Sequence, residues 1–407
     1  MVAEILFLAH RIPWPADRGD KIRSYHILQH LAQMGPVHVG SFADDDRDMS
    51  FVAEMEPNFA SVHAEKRVKP QWQAGLEALR SGRPISVESF ASPSMANWVN
   101  SVLASRPISH IFVFSGQMAQ YIPDDFAGRI IMDFVDVDSA KFERYASEGG
   151  AFMRWVNRRE GRLLAAFEHQ VAARADASLF VSEAEAALFR QRSGLSADIV
   201  LPIGNGIDTI SYDPLADIPR AKGVPRGKII MFTGQMDYRP NIEAVDDFAR
   251  RAMPAILQRH ADAKFIIVGR SPTDAVKALA NLPGVTVTGA VDDVRSWLTA
   301  AHVVAAPLRI ARGIQNKVLE AMAMAKPVVA SAAAAEGIEA TDGVHFHVAA
   351  NIGEEIEKIC ALLSDAEAAK RLGISARLHV QQHYSWDGQL APLDALMSIK
   401  PLREAAE

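Results

Sequence analysis

The stretch ARGIQNKVLEAMAMAKPVVAS, residues 311 to 331, holds in miniature the pattern that decides the fold. Val318, Leu319, Ala321, Met322 and Met324 recur at helical spacing, and Lys326-Pro327 is expected to end that helix. Pro-Val-Val-Ala-Ser then opens a short apolar run of the kind found in strands covered on both faces. A helix passing directly into a buried strand is half of a β-α-β unit. The start of the stretch is less ordinary. Gly313 precedes the helix, Arg309, Arg312 and Lys317 flank it, and Glu320 stands one turn beyond Lys317 on the same face.

The same alternation runs through the chain on both sides. EILFLAH, VHVGSF, HIFVFS, RIIMDFV, ASLFVS, DIVLPIG, KIIMFTG, KFIIVG, VTVTG, VVAAPL and PVVAS all read as buried strands, with helical segments between most of them. Alternating β and α gives parallel sheets with right-handed crossovers, hence an α/β fold. Eleven strands are many for one doubly wound sheet, so two sheets in two domains are expected across 407 residues. The Gly-, Pro- and Asp-rich segment 201–227 marks the boundary. This gives domains at 1–200 and 201–384, with 385–407 as a tail helix expected to cross back onto the first domain.

Bulk composition narrows the function. A net charge of -6 argues against a general nucleic-acid binder. The single cysteine, Cys360, permits neither an intramolecular disulfide nor a thiolate metal site. The N-terminus MVAEILFLAHRIPWP reads as a strand and not as a signal peptide. No apolar run approaches the ~18 residues that span a bilayer. A cytoplasmic chain is expected, with contact at the inner membrane face as a further option. That option rests on AFMRWVNRREGRLLAAFEHQVAARAD, where Arg154, Arg158, Arg159 and Arg162 lie beside Phe152, Trp155, Leu163 and Phe167. Glu160 and Glu168 dilute it, and a helix packed on the core is the favoured reading.

Open parallel sheets bind ligands at the carboxyl ends of their strands, so β-to-α loops are where chemistry is expected. In HRIPWPADRGDKIRSYHIL, Gly19, Asp20, Lys21 and Arg23 gather at a helix start, where backbone amides attract anions. Solvated loop charges explain them equally well. No G-x-G-x-x-G is present, so binding of an oxidoreductase dinucleotide has no support. In IIMDFVDVDSAKFERYA, Asp133, Asp136 and Asp138 suit cation binding or acid/base work. Capping by Asp138 or Ser139 accounts for one of the three. PIGNGIDTISY is a turn, with Asp208 at the domain junction. In FTGQMDYRPNIEAVDDFA, Gly234 ends a strand and Arg239 sits where a cation would face the cleft. Around Gly313, dipole and cations make a diphosphate site, and Glu320 suits vicinal ribose hydroxyls. A plain Lys317–Glu320 surface pair is the competing account. No histidines are read at metal-ligand spacing, including H-x-x-x-H on a helix, and His345 and His347 are placed on a strand.

Taken in order, the glycine loop at 19–20, FVSEAE at 180–185, LPIGNGID at 201–208, GQMDYRPN at 234–241, FIIVG at 265–269 and KVLEAMAMAKPVV at 317–329 resemble glycosyltransferase family 4 over nearly the whole length. RIPWPADRGDKIRSYHIL, MDFVDVDSAKFERYA and ARGIQNKVLEAMA are most similar to the exosortase (PEP-CTERM) associated subgroup. The resemblance implies a GT-B fold, two Rossmann-like parallel-sheet domains facing a central cleft. It also implies a retaining, metal-independent sugar transferase for exopolysaccharide, with no cofactor beyond its nucleotide-diphosphate sugar. The acceptor would be a saccharide or lipid-linked saccharide. By position, Glu320 would hold the ribose, while Gly313, Ile314 and the helix start would face the diphosphate. The backbone near Gly289 and Val291 would meet the base, and Gly19 and Asp20 would face the donor phosphates. Asp136 and Asp138 are candidates for orienting sugar or acceptor, with Lys317 as the catalytic cation.

Three positions depart from the family pattern. Arg312 stands where relatives have a first glutamate, and Gln235 and Asn241 stand where they have cations. Arg239, Arg312 and Lys317 are expected to restore that charge. Two other functions stay open: a nucleotide-sugar 2-epimerase of the same fold, and a non-catalytic nucleotide-sugar-binding partner.

Overall fold

The computed structural model describes residues 3–16, 19–146, 150–311 and 314–398. The chain divides into two compact units. One comprises residues 1–205 together with 389–407, the other residues 206–388. The unit boundaries thus fall between Asn205 and Gly206 and between Gly388 and Gln389.

The first unit is built on a seven-stranded sheet ordered β3-β2-β1-β4-β5-β6-β7. The strands are β1 (Glu4–Ala9), β2 (Val37–Ala43), β3 (Ser61–Lys66), β4 (Ile108–Phe114), β5 (Arg129–Val135), β6 (Ala177–Phe180) and β7 (Val200–Pro202). All pairings are parallel. Four of its helices matter below: α1 (Gly19–Met34), α2 (Gln71–Ser81), α3 (Asp138–Tyr145) and α4 (Ala151–Arg174). β1 is buried at every position: Ile5–Ala9 form an apolar run, and the Glu4 carboxylate is held by His38 and Arg106. The tail closes onto this unit: Arg129 donates to the Leu396 carbonyl at 2.6 Å and His30 lies 2.9 Å from Asp394.

The second unit carries six parallel strands ordered β10-β9-β8-β11-β12-β13. They are β8 (Lys228–Thr233), β9 (Ala263–Val268), β10 (Val285–Gly289), β11 (Val303–Ala306), β12 (Val328–Ser331) and β13 (His347–Ala349). Its relevant helices are α5 (Arg239–Asp247), α6 (Asn316–Ala323) and α7 (Ala366–His383). β8, β9 and β10 build outward in one direction, and β11 then lies against the other side of β8. The crevice at the carboxyl ends of β8 and β11 is therefore a topological switch point, where ligands of such sheets bind.

Helix α6 closes differently from the sequence expectation. It ends at Ala323, before Lys326-Pro327. Ala325 takes a left-handed conformation (φ 52°), its amide donating to the Met322 carbonyl and that of Lys326 to Ala321. This is a Schellman closure with alanine in the position glycine usually fills. The histidine reading also needs correction. His379 and His383 do stand at H-x-x-x-H spacing on α7, with ring centres 4.6 Å apart, and His345 stacks on His379 at 4.1 Å. His345 precedes β13, which begins at His347. No metal-binding cluster forms among the described residues.

Candidate active site

At the switch point of the second unit lies a cavity of about 560 Å³. Three β-to-α loops and one helix start wall it. The loop after β8 contributes Gly234, Gln235 and Tyr238, and α5 adds Asn241. Gly269 and Arg270 follow β9, and Ala290 and Val291 follow β10. Ile314, Gln315, Asn316, Lys317 and Glu320 come from the start of α6.

The strand ends are packed too tightly for side chains. A Cβ on Gly269 would fall 1.6 Å from the Gly234 carbonyl oxygen. One on Gly234 would sit 2.9 Å from the Asn241 amide nitrogen and 3.2 Å from Lys317 Nζ. Two glycines therefore let β8 and β9 bring bare backbone to the cavity floor. Helix α6 begins without a side-chain cap, and although the Val318 amide donates to the Gln315 carbonyl at 2.9 Å, the positive end of its dipole lies at the cavity wall that Asn316 and Lys317 line.

Lys317 Nζ donates to Asn241 Oδ1 at 2.6 Å and lies 4.4 Å from the Phe232 ring centre. The Asn241 amide donates in turn to the Gln235 carbonyl at 2.8 Å. Burial holds the Lys317 ammonium down to about 8, against the pull of Glu320. Burial likewise pushes the Glu320 carboxyl upward, although Lys317 opposes it. The two form no ion pair, so the surface-pair account of this spacing does not describe the structure. Each is a half-buried ionisable group lining a polar cavity, an arrangement typical of ligand sites.

The other expected residues are dispersed. Gly289 has φ 75° and turns the chain into Ala290 and Val291 of the cavity wall. Arg239 is strongly exposed and is held by Glu243 at 2.7 Å one turn along α5, so its charge does not line the cavity. Arg270 does line it, 3.1 Å from Gln235 Oε1. Arg312 and Gly313 lie outside the described residues. Arg309 pairs with Asp247 at 2.6 Å.

In the first unit, Gly19 and Asp20 open α1. The cations beside them are structural. Lys21 is buried against Asp48 at 2.6 Å. Arg23 is buried against Asp133 at 2.8 Å, and it also donates to the Gly204 carbonyl and Asn205 Oδ1 at 3.2 and 3.0 Å. Asp133 is thus accounted for as the partner of Arg23. Asp136 and Asp138 share Lys141, each at 2.8 Å, which holds that ammonium above its ordinary range. Neither Asp138 nor Ser139 caps α3: Val137 stands at the cap, and Ser139 donates through amide and hydroxyl to the buried Glu168. Val135, just before Asp136, has φ 70°, a conformation a β-branched residue adopts only under constraint.

Sequence reading missed Arg270 and the paired role of Asn241. Arg270 follows the glycine of FIIVG directly, and that placement was the available signal. Asn241 was noted only for lacking a charge.

A two-sheet Rossmann-like architecture with a switch-point cavity of this kind defines the GT-B class of fold. Comparison with known proteins agrees. Residues 227–365, a segment of the second unit that begins just before β8, match the family model described as "Glycosyl transferases group 1". The chain is similar to the phosphatidyl-myo-inositol mannosyltransferase of Mycolicibacterium smegmatis, 34% identical over 146 residues, covering 35% of this chain and 36% of the relative. It spans only about a third of the length of the curated relatives it matches. Among solved structures, Anabaena HepE in complex with UDP superposes over 97% of this chain and 99% of its own, with TM-score 0.63 and 16% identity. Sucrose-phosphate synthase from Thermosynechococcus elongatus covers 97% and 98%, with TM-score 0.63 and 17% identity.

Proposed function

We propose that this chain is a retaining glycosyltransferase that moves a sugar from a nucleotide-diphosphate sugar to a hydroxyl of a saccharide or lipid-linked saccharide, in cytoplasmic exopolysaccharide assembly. The observation that carries the reading is the meeting of Lys317, Glu320 and the uncapped start of α6 at the switch-point cavity, within the segment that matches the glycosyltransferase family. Glu320 takes the ribose hydroxyls, and the loop at Ala290 and Val291 meets the base. Lys317 and the first amides of α6 take the diphosphate. Arg270 supplies a further cation from the wall, in place of Arg239.

The chemistry follows from that placement. The bond between the anomeric carbon and the phosphate oxygen breaks as the acceptor hydroxyl attacks from the same face. The acceptor proton passes to the departing phosphate oxygen. Negative charge growing on the nucleoside diphosphate is stabilised by Lys317 and the helix dipole, both fixed before reaction. This scheme needs no metal. Asp136 and Asp138, fixed by Lys141 behind the constrained Val135, orient the acceptor.

Incubating the protein with nucleotide sugars, alone and with extracted lipid-linked saccharides, tests the reading. Acceptor-dependent release of nucleoside diphosphate, with the anomeric configuration kept, supports it. An epimerised nucleotide sugar formed without acceptor would assign the chain to epimerases instead.

A further inference from the structure

One flank of the first unit exposes more large apolar side chains than its packing explains. On α2, Trp72, Leu76 and Leu79 recur at i, i+4 and i+7 and are 73%, 43% and 57% exposed. Ala74 and Ala78 of the same helix are buried. The helix is therefore amphipathic in the inverted sense, with its small residues inward and its large ones outward. On α4, Phe152, Met153 and Trp155 are also exposed, at 72%, 50% and 53%, and the rings of Phe152 and Trp155 stack at 6.3 Å. Arg159 ties the two helices together, donating from α4 to the Ala78 carbonyl at 2.5 Å.

The charges of α4 sort by face. The two glutamates that dilute its basic character in sequence both turn inward. Glu160 accepts from the Ile85 and Ser86 amides at 2.8 Å each, and Glu168 accepts from Ser139. Arg154, Arg158 and Arg162, at i, i+4 and i+8, are exposed and form no ion pair among the described residues, in a chain whose net charge is -6. Arg158 and Arg162 wall a cavity of about 490 Å³ with Glu143, Ala146 and Ala165. Glu143 is already neutralised by Arg192, at 2.9 Å through one nitrogen.

We propose that this flank docks on an anionic bilayer surface. The aromatic and aliphatic side chains of α2 and α4 enter the headgroup boundary, the arginine row meets lipid phosphates, and the cavity beside it gives one headgroup room. Aromatic anchors beside unpaired arginines have the composition of an interfacial helix surface. No helix among the described residues is long and apolar enough to cross a membrane, so attachment lies in the interface plane. The proposal is independent of the donor site in the second unit.

The test is flotation of the full chain with phosphatidylcholine vesicles, with and without phosphatidylglycerol. The protein should float with the anionic vesicles at low salt, release as salt rises, and stay behind with phosphatidylcholine alone. Replacing Arg154, Arg158 and Arg162 together by Ser should lower partitioning about fivefold per arginine, about a hundredfold in all. Trp72→Ser with Trp155→Ser should abolish the blue shift of tryptophan emission on anionic vesicles. All five side chains are exposed, and an unchanged thermal melt verifies folding. Failure to float at low salt, or flotation of both variants at the wild-type level, overturns the proposal. So does a solution dimer broken by Trp72→Ser with Leu76→Ser in a protein that ignores vesicles, which would make the face a contact between copies.

Discussion

Replacing Lys317 by Met removes the cation at the centre of the proposed donor site while keeping most of the side chain that covers Phe232. The ammonium donates to Asn241 Oδ1 at 2.6 Å and titrates at about 8, so it is about nine-tenths protonated at pH 7. A hydrogen bond from a charged donor to phosphate contributes about 1.5–3 kcal/mol. The variant should therefore bind nucleoside diphosphate about 10- to 150-fold more weakly, and bind the bare nucleoside as the wild type does. The pH profile gives a second reading. A bound phosphate raises the Lys317 pKa above its ligand-free value of about 8. Affinity is then full below pH 8 and falls as pH rises through it, about tenfold between pH 7 and 9, whereas the variant stays flat. The folded pKa lies below the ordinary lysine value, so the ammonium opposes folding at neutral pH. The ligand-free variant should thus melt no lower than the wild type, less the small cost of an unpartnered Asn241. Isothermal titration of nucleoside diphosphate and nucleoside into both proteins reads all of this. A variant within about threefold of the wild type at pH 7, with the same pH slope, would refute the reasoning.

Four more perturbations separate the parts of the account. Glu320→Gln should erase discrimination between ribose and 2′-deoxyribose diphosphates, a loss of about 10-fold or more for a charged hydrogen-bond acceptor, seen by the same titration. Gly269→Ala forces a methyl against the Gly234 carbonyl at 1.6 Å; unfolding in urea should show about 3 kcal/mol lost, with nucleotide binding gone. Asp136→Asn should slow transfer while leaving the donor dissociation constant unchanged; full transfer activity would remove Asp136 from the acceptor site. Arg23→Met leaves the fully buried Asp133 carboxyl without its partner, at a cost of about 3–5 kcal/mol in the first unit, measured by chemical denaturation.

The two-sheet architecture was legible because its central strands are fully buried and so are written as unbroken apolar runs. The strand that escaped is an edge. β3 is half-exposed along most of its length and carries His63 and Glu65, so no apolar run marks it. At the site, Lys317 and Glu320 were legible as ionisable groups on an otherwise apolar helix. Arg239 misled because proximity in sequence to a strand end does not set side-chain direction: one turn into α5, Glu243 holds it outward. Lys21, Arg23 and Asp133 misled for the opposite reason. Lys21 and Arg23 read equally well as an anion site or as solvated loop charges, and Asp133 as a group for cation binding or acid/base work, but here they pair in the core across long separations. The orientation of Glu160 and Glu168 was equally hidden, since only their partners on other elements show which way they face.

The central claim is a nucleotide-sugar site in the second unit, and a thermal-shift screen of nucleoside diphosphates and their sugars tests it most directly. One base, at about 100 times its dissociation constant, should stabilise the wild type by about 2.7 kcal/mol. At about 2–4 °C per kcal/mol for a unit of this size, the melting point should rise by about 5–10 °C. The rise should shrink in both Glu320→Gln and Lys317→Met. No stabilisation by any nucleoside diphosphate, or an equal rise in all three proteins, would contradict the account.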